Sequence, residues 1–160
     1  MTVVLSYSAK QEIDAWVTKY PPEQKQSAVL YALQIVQKEN GGWLTEPLMN
    51  AVAAYLGMPP IAVYEVASFY SMFELKPVGR HKVSVCTNIS CMLKNADELI
   101  QHLQDKWGIN PGETSKDGRF TLKEVECIAA CGGAPAIQID RIYYENVTKE
   151  KLDQLLAELE

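Results

Sequence analysis

The chain has 160 residues, 48% hydrophobic and 22% charged, with a formal net charge of −5 at pH 7. That is enough apolar material for one domain or two small ones, and too much for a disordered segment. The 15 Lys and Arg residues are scattered rather than gathered into a basic run, which argues against nucleic acid as a partner and for other proteins. The N-terminus reaches Lys10, Glu12 and Asp14 before any apolar run approaches signal-peptide length, and nowhere do about 18 apolar residues follow one another. The expectation is a soluble, intracellular chain with no direct membrane insertion.

Taken in order, the first half reads as helices punctuated by proline and glycine. Ser8 is a candidate cap for a short helix through Trp16, which stops before Pro21 and Pro22. Ala28, Val29, Ala32, Ile35 and Val36 then recur at helical spacing until Gly41 and Gly42. Thr45 is placed to cap a third helix carrying Leu48, Met49, Val52 and Leu56, closed by Gly57. After Pro59 and Pro60, the stripe Ala62, Val66, Phe69, Tyr70 and Phe73 predicts a fourth helix whose aromatic face lies in a core. Residues 1–75 are therefore expected to form a helical bundle.

Beyond Gly79 the apolar period changes. HKVSVC, residues 81–86, alternates as a strand does and ends on Cys86. A loop, TNISCMLK, follows, and Asn95 with Glu98 three residues on resembles a capping box opening a helix. That helix carries Ala96, Leu99, Ile100, Leu103 and Trp107 on one face and ends at Gly108. A turn-rich connection leads to a second strand, residues 119–126, which again runs into a cysteine. Two parallel strands joined by a helix would finish at the same sheet edge and put both cysteine loops there. APAIQID and RIYYEN read as a hairpin turning near Asp140 and Arg141. Thr148 is a candidate cap for a last helix with the stripe Leu152, Leu155, Leu156 and Leu159. Residues 76–160 thus predict a four-stranded mixed sheet with helices, a compact α/β layer fold similar to thioredoxin without its CxxC.

All four cysteines fall in these two loops: Cys86 and Cys91 with four residues between them, Cys127 and Cys131 with three. In a reducing compartment such a cluster points to metal binding or catalysis rather than static disulfides. Four soft thiolates select zinc or an iron-sulfur cluster over calcium or magnesium. Structural zinc sites typically use CxxC knuckles, whereas wider pairs on two facing loops suit the two irons of a 2Fe-2S cluster. Both remain open on spacing alone. The plant-type ferredoxin run is not met, and a Rieske centre is disfavoured because His81 and His102 lie outside the cysteine loops and read as ordinary surface residues. Gly132 and Gly133 either let backbone N–H groups approach the sulfurs or form a plain turn.

The motifs QKENGGWL at Gln37 to Leu44, VYEVASFYSMF at Val63 to Phe73, PVGRHKVSVCTNISC at Pro77 to Cys91, PGETSKDGRFTL at Pro111 to Leu122 and VECIAACGGAP at Val125 to Pro135 carry a resemblance along nearly the whole chain. The chain resembles the small thioredoxin-like 2Fe-2S subunit of the NADH dehydrogenase module of respiratory complex I, NADH:quinone oxidoreductase. The resemblance implies an N-terminal helical bundle followed by a thioredoxin-like ferredoxin domain. It implies one 2Fe-2S cluster held by Cys86, Cys91, Cys127 and Cys131, acting as a one-electron site. It further implies a partner flavoprotein subunit that carries FMN, the NADH site and a 4Fe-4S cluster. Other peripheral-arm subunits would surround the pair, on the cytoplasmic inner face of the membrane or the equivalent matrix side.

Consistent with that division, the chain has no GxGxxG, no P-loop and no acid–base pair beside the cysteines, so no complete active site is expected on it alone. Related subunits of NAD-linked hydrogenases and formate dehydrogenases share the cysteine pattern, and a zinc-stabilised interaction module is the alternative of another class. Many relatives have glycine where this chain has Asn95 and Ala129. Asn tolerates a left-handed backbone, whereas Ala129 would have to accept strain of about 1 kcal/mol to adopt one.

Overall fold

The computed structural model describes residues 4–159, and the chain falls into two units, Met1–Pro77 and Val78–Glu160. The first is helical. Helix α1, Tyr7–Val17, is capped by Ser6, whose hydroxyl accepts the Ala9 N–H at 2.9 Å. Ser8 lies inside the first turn instead, because the extended backbone a cap needs occurs at Ser6. A 3₁₀ segment, Pro22–Ala28, leads into α2, Val29–Glu39. Helix α3, Glu46–Leu56, starts at Thr45, which accepts the Leu48 N–H at 3.3 Å, and stops at a left-handed Gly57. Ile13, Leu33, Val36, Leu44 and Val52 fill the core of this unit.

Helix α4, Pro60–Phe69, departs from the sequence reading. Its buried face is Val63 and Ala67, while Phe69 is 80% exposed and Tyr70, already extended, ends the helix. Apolar residues surround this helix almost completely, so periodicity alone could not say which line of them faces inward. Phe73 does reach the core. The chain after α4 is held by Gln37, a buried amide of α2 that accepts the Glu74 N–H at 2.8 Å and donates to the Met72 carbonyl at 3.2 Å.

In the second unit, β1, His81–Cys86, is followed by a short helix α5, Ile89–Met92, and by α6, Ala96–Trp107. Strand β2, Phe120–Val125, a 3₁₀ turn Cys131–Gly133, the hairpin of β3, Ile137–Ile139, and β4, Ile142–Tyr144, and α7, Lys149–Ala157, complete it. The sheet order is β2-β1-β3-β4, with β1 and β2 parallel and the other pairs antiparallel. Thr148 caps α7 through the Lys151 N–H. Leu99, Leu103, Leu122, Ile137 and Leu152 belong to one core between the helices and the sheet. The mixed four-stranded sheet after a helical N-terminal part is the expected fold class.

Two local readings change here. The TNISCMLK stretch is not wholly loop: Asn88 accepts the Ile89 N–H at 2.7 Å and starts α5. Asn95 does not form a capping box; it is left-handed, with φ of 64°, and its side chain caps nothing. Glu98 instead pairs with Lys149 at 2.9 Å.

The histidines are engaged as well. His81 Nδ1 lies 2.9 Å from Asp140, and His102 Nε2 lies 3.0 Å from Asp153, which Lys106 also meets. The hydrogen bonds from Lys106 and then His102 hold the Asp153 carboxyl below its ordinary value. A lowered carboxyl pKa in the folded state stabilises the fold above the unfolded value, about 3.9, and that contribution fades as pH falls through the lower folded value. With Asp153 41% exposed, the contribution is at most about 1 kcal/mol. Asp153→Asn is therefore expected to destabilise the chain by up to that amount at pH 7, with the difference shrinking as the pH is lowered below the ordinary carboxyl range, as measured by urea denaturation across pH.

Candidate metal centre

The pairing of β1 with β2 runs in register from His81 opposite Phe120 to Cys86 opposite Val125, so both strands end at one sheet edge. Cys86 is the last residue of β1, and Cys127 comes two residues after the end of β2. The helix α5 carries Cys91, and Cys131 opens the 3₁₀ turn. Parallel pairing thus delivers both cysteine loops to the same edge, as the strand-helix-strand reading requires.

The loops are tied to each other by backbone and side chain. Thr87 donates its N–H to the Val125 carbonyl at 3.0 Å and its hydroxyl to the Glu124 carboxylate at 3.0 Å. The Cys86 N–H donates to the Ala136 carbonyl at 3.2 Å, which joins the first loop to the segment entering β3. Thr87, Glu124 and Ala136 escaped the sequence reading because nothing in their spacing marks them. Helix α5 could have been found from Asn88, a strong N-cap residue just before Ile89.

All four cysteines are free; Cys86 and Cys91 are buried, Cys127 and Cys131 exposed. Burial first, and then the neighbouring Cys86 and Cys131 sulfurs, push the Cys91 thiol above its ordinary value, while a backbone hydrogen bond from Ala136 pulls it down. A cation beside the Cys91 sulfur would offset that burial and favour its thiolate, which is the form that binds a soft metal. Cys127 is supplied differently. Its Sγ accepts the Ala129 N–H at 3.3 Å, a donor suited to a thiolate.

Cys91 therefore has Cys86 and Cys131 as electrostatic neighbours, whereas Cys127 is held by its own loop. A single zinc would need all its thiolates about 2.3 Å from one point, whereas two bridged irons divide four thiolates into pairs. Two cysteine pairs on adjoining loops, with the Cys91 and Cys127 sulfurs each receiving a backbone donor, are a donor set that fits the two-iron group.

Ala129, at φ of 58°, does adopt the left-handed region, as does Asn95. Both positions therefore keep the backbone that glycine favours. For Ala129 this means accepting strain of about 1 kcal/mol. Ala129→Gly is expected to stabilise the metal-free chain by less than about 1 kcal/mol, because the extra freedom glycine gives the unfolded chain offsets part of the relief. Thermal unfolding checks this, and a destabilised variant would contradict it.

Comparison with known proteins agrees with this geometry. The family model for thioredoxin-like [2Fe-2S] ferredoxins matches residues 13–160. The E subunit of the NADH-quinone oxidoreductase of Rickettsia bellii (strain RML369-C) is 46% identical over 143 residues, 89% of this chain and 86% of that relative. The E 2 subunit of the NADH-quinone oxidoreductase of Rhizobium meliloti (strain 1021) is 43% identical over 92% of this chain and 86% of its own length. Among solved structures, an NAD+-reducing [NiFe]-hydrogenase in the H2-reduced state contains a chain that superposes with a TM-score of 0.69 and 21% identity, over 82% of this chain and 22% of that longer one, a likeness of fold. The sheet edge, its paired cysteine loops and the match over residues 13–160 together make this chain a member of the thioredoxin-like [2Fe-2S] ferredoxin family.

Proposed function

We propose that this chain is the electron-transfer subunit of an NADH:quinone oxidoreductase, holding one 2Fe-2S cluster through Cys86, Cys91, Cys127 and Cys131. The observation that carries the reading is the delivery of both cysteine pairs to one sheet edge by the parallel β1 and β2 strands, in a chain 46% identical over 89% of its length to the Rickettsia bellii subunit. The cluster supplies a site that takes up and releases one electron at a time. The rest of the task belongs to the protein around it. Buried Cys86 and Cys91 exclude water from one side, exposed Cys127 and Cys131 leave the other open to a partner, and the Ala129 N–H offsets negative charge on Cys127.

The oxidation of NADH belongs, in this reading, to a flavoprotein subunit carrying FMN and a 4Fe-4S cluster, bound beside this chain in a peripheral arm on the inner face of the membrane. Among the described residues no helix is long and apolar enough to cross a membrane. Residues 1–75 act as the helical bundle and 76–160 as the ferredoxin domain. Ile61, Phe69 and Leu75 of the bundle are exposed large apolar side chains, which supports a share of the flavoprotein interface in this half. Residues 76–160 expressed without the bundle should lose copurification with the flavoprotein; full copurification would remove the bundle from the interface.

The function itself is tested by mixing. The purified chain alone should leave NADH unoxidised, whereas NADH added to its complex with the flavoprotein should bleach the visible absorbance of the cluster. An isolated chain that oxidises NADH would overturn the proposed division of labour.

A further inference from the structure

The segment after β4 lies against the second cysteine loop. The Asn146 N–H donates to the Gly133 carbonyl at 2.7 Å, and the Val147 N–H donates to the Pro135 carbonyl at 3.0 Å. Between these bonds and β4 sits Glu145. A methyl group built on Gly133 would fall 2.5 Å from the Cβ and Cδ of Glu145, so the glutamate side chain occupies the space a side chain at Gly133 would need. Gly133 is buried and ends the 3₁₀ turn that Cys131 begins. Glu145 is itself fixed from behind, because Lys151 Nζ donates to its main-chain carbonyl at 2.5 Å. The carboxylate is thus carried on backbone tied to the loop, against a glycine two residues beyond Cys131, rather than on a free surface arm.

We propose that Glu145 is a positioning residue of the cluster loop: seated on Gly133, it braces the turn that presents Cys131 and fixes a negative charge beside the cluster, lowering its reduction potential. This rests on the reading that Cys131 is a ligand. The physical reason is that reduction adds one electron to a centre whose irons, thiolates and sulfides already sum to about −2, and a fixed neighbouring carboxylate opposes that addition. The side chain is exposed, so the effect is modest and screened by salt. Gly133 serves the same arrangement by having no side chain, which leaves room for the carboxylate to lie against the loop.

The test is an EPR-monitored redox titration of the full chain with its cluster, comparing wild type, Glu145→Gln and Glu145→Lys. Glu145→Gln keeps the shape and removes the charge. At a fixed potential near the midpoint, it should raise the ratio of reduced to oxidised cluster about threefold, or about 30 mV at 59 mV per decade for one electron. Glu145→Lys should shift the ratio further in the same direction, and both shifts should shrink in about 1 M salt. Loaded variants that titrate with wild type overturn the proposal. A wild-type chain with no cluster overturns the ligand reading and this proposal together, so the two failures are distinguishable.

Discussion

Cys127→Ala is expected to leave the chain folded and without its cluster. Cys127 is exposed and its Sγ accepts the Ala129 N–H of its own loop, so removing the sulfur should change the stability of the metal-free chain by less than about 0.5 kcal/mol. Iron and acid-labile sulfide, however, should fall to background, because one iron loses half of its protein thiolates. Alanine is the informative replacement, since a serine hydroxyl keeps an oxygen that can coordinate and would more gently weaken the site. Cys91→Ala makes the useful contrast. Cys91 is 2% exposed and packs in the core of the second unit, so this variant should lose the cluster and about 1 kcal/mol or more of metal-free stability. Iron analysis and thermal unfolding of the two variants separate the roles; unchanged iron in Cys127→Ala would contradict the four-thiolate assignment.

The second large effect is expected far from any sulfur. Leu103 on α6 is fully buried in the core that also holds β1 and β2. Leu103→Ala should cost about 2–5 kcal/mol, the transfer term plus the cavity left behind, a large part of the roughly 5–15 kcal/mol that holds an ordinary domain together. Because α6 is the crossover between the two strands that present the cysteines, the same variant should also retain less cluster on warming. Urea denaturation of wild type and variant measures the first effect, and iron retention during a temperature ramp measures the second. A loss below about 1 kcal/mol would mean that α6 does not brace the site.

The architecture of the second unit was legible because its signals agree with one another. Alternation in HKVSVC, the apolar stripe of Ala96, Leu99, Ile100 and Leu103, and Gly108 as a left-handed stop all point to one strand-helix-strand unit. The site followed from that topology, since parallel strands must end together. What the sequence hid was local. Ser6 rather than Ser8 caps α1 because capping depends on the backbone of the chosen residue, and two serines two positions apart look alike. Helix α4 is apolar on nearly every side, so its inward line, Val63 and Ala67, could not be told from the line through Phe69. Asn95 looked like a capping residue and is instead a left-handed hinge, a conformation that Asn also tolerates. Glu145 was invisible in the site because its contact with Gly133 depends on the return of the chain after β4.

The acceptance of a left-handed backbone by Ala129 bears on how the second loop works. Its N–H is the donor to Cys127, and the turn that follows leads to Cys131 and Gly133, where Glu145 rests. A strained residue, a sulfur acceptor and a braced glycine thus occur between Cys127 and Gly133. Strain of this kind persists only where the surroundings over-determine the backbone; the Ala129 N–H is engaged by Cys127, and the loop beyond Cys131 is tied down by the bonds of Asn146 to Gly133 and Val147 to Pro135.

Whether four thiolates on one sheet edge hold a two-iron redox centre is tested most directly by metal analysis joined to low-temperature EPR of the purified full chain. The expected result is about two irons and two acid-labile sulfides per chain, a coloured oxidised protein, and an EPR signal that appears on reduction with dithionite. A colourless chain holding one zinc, EPR-silent after dithionite, would contradict it.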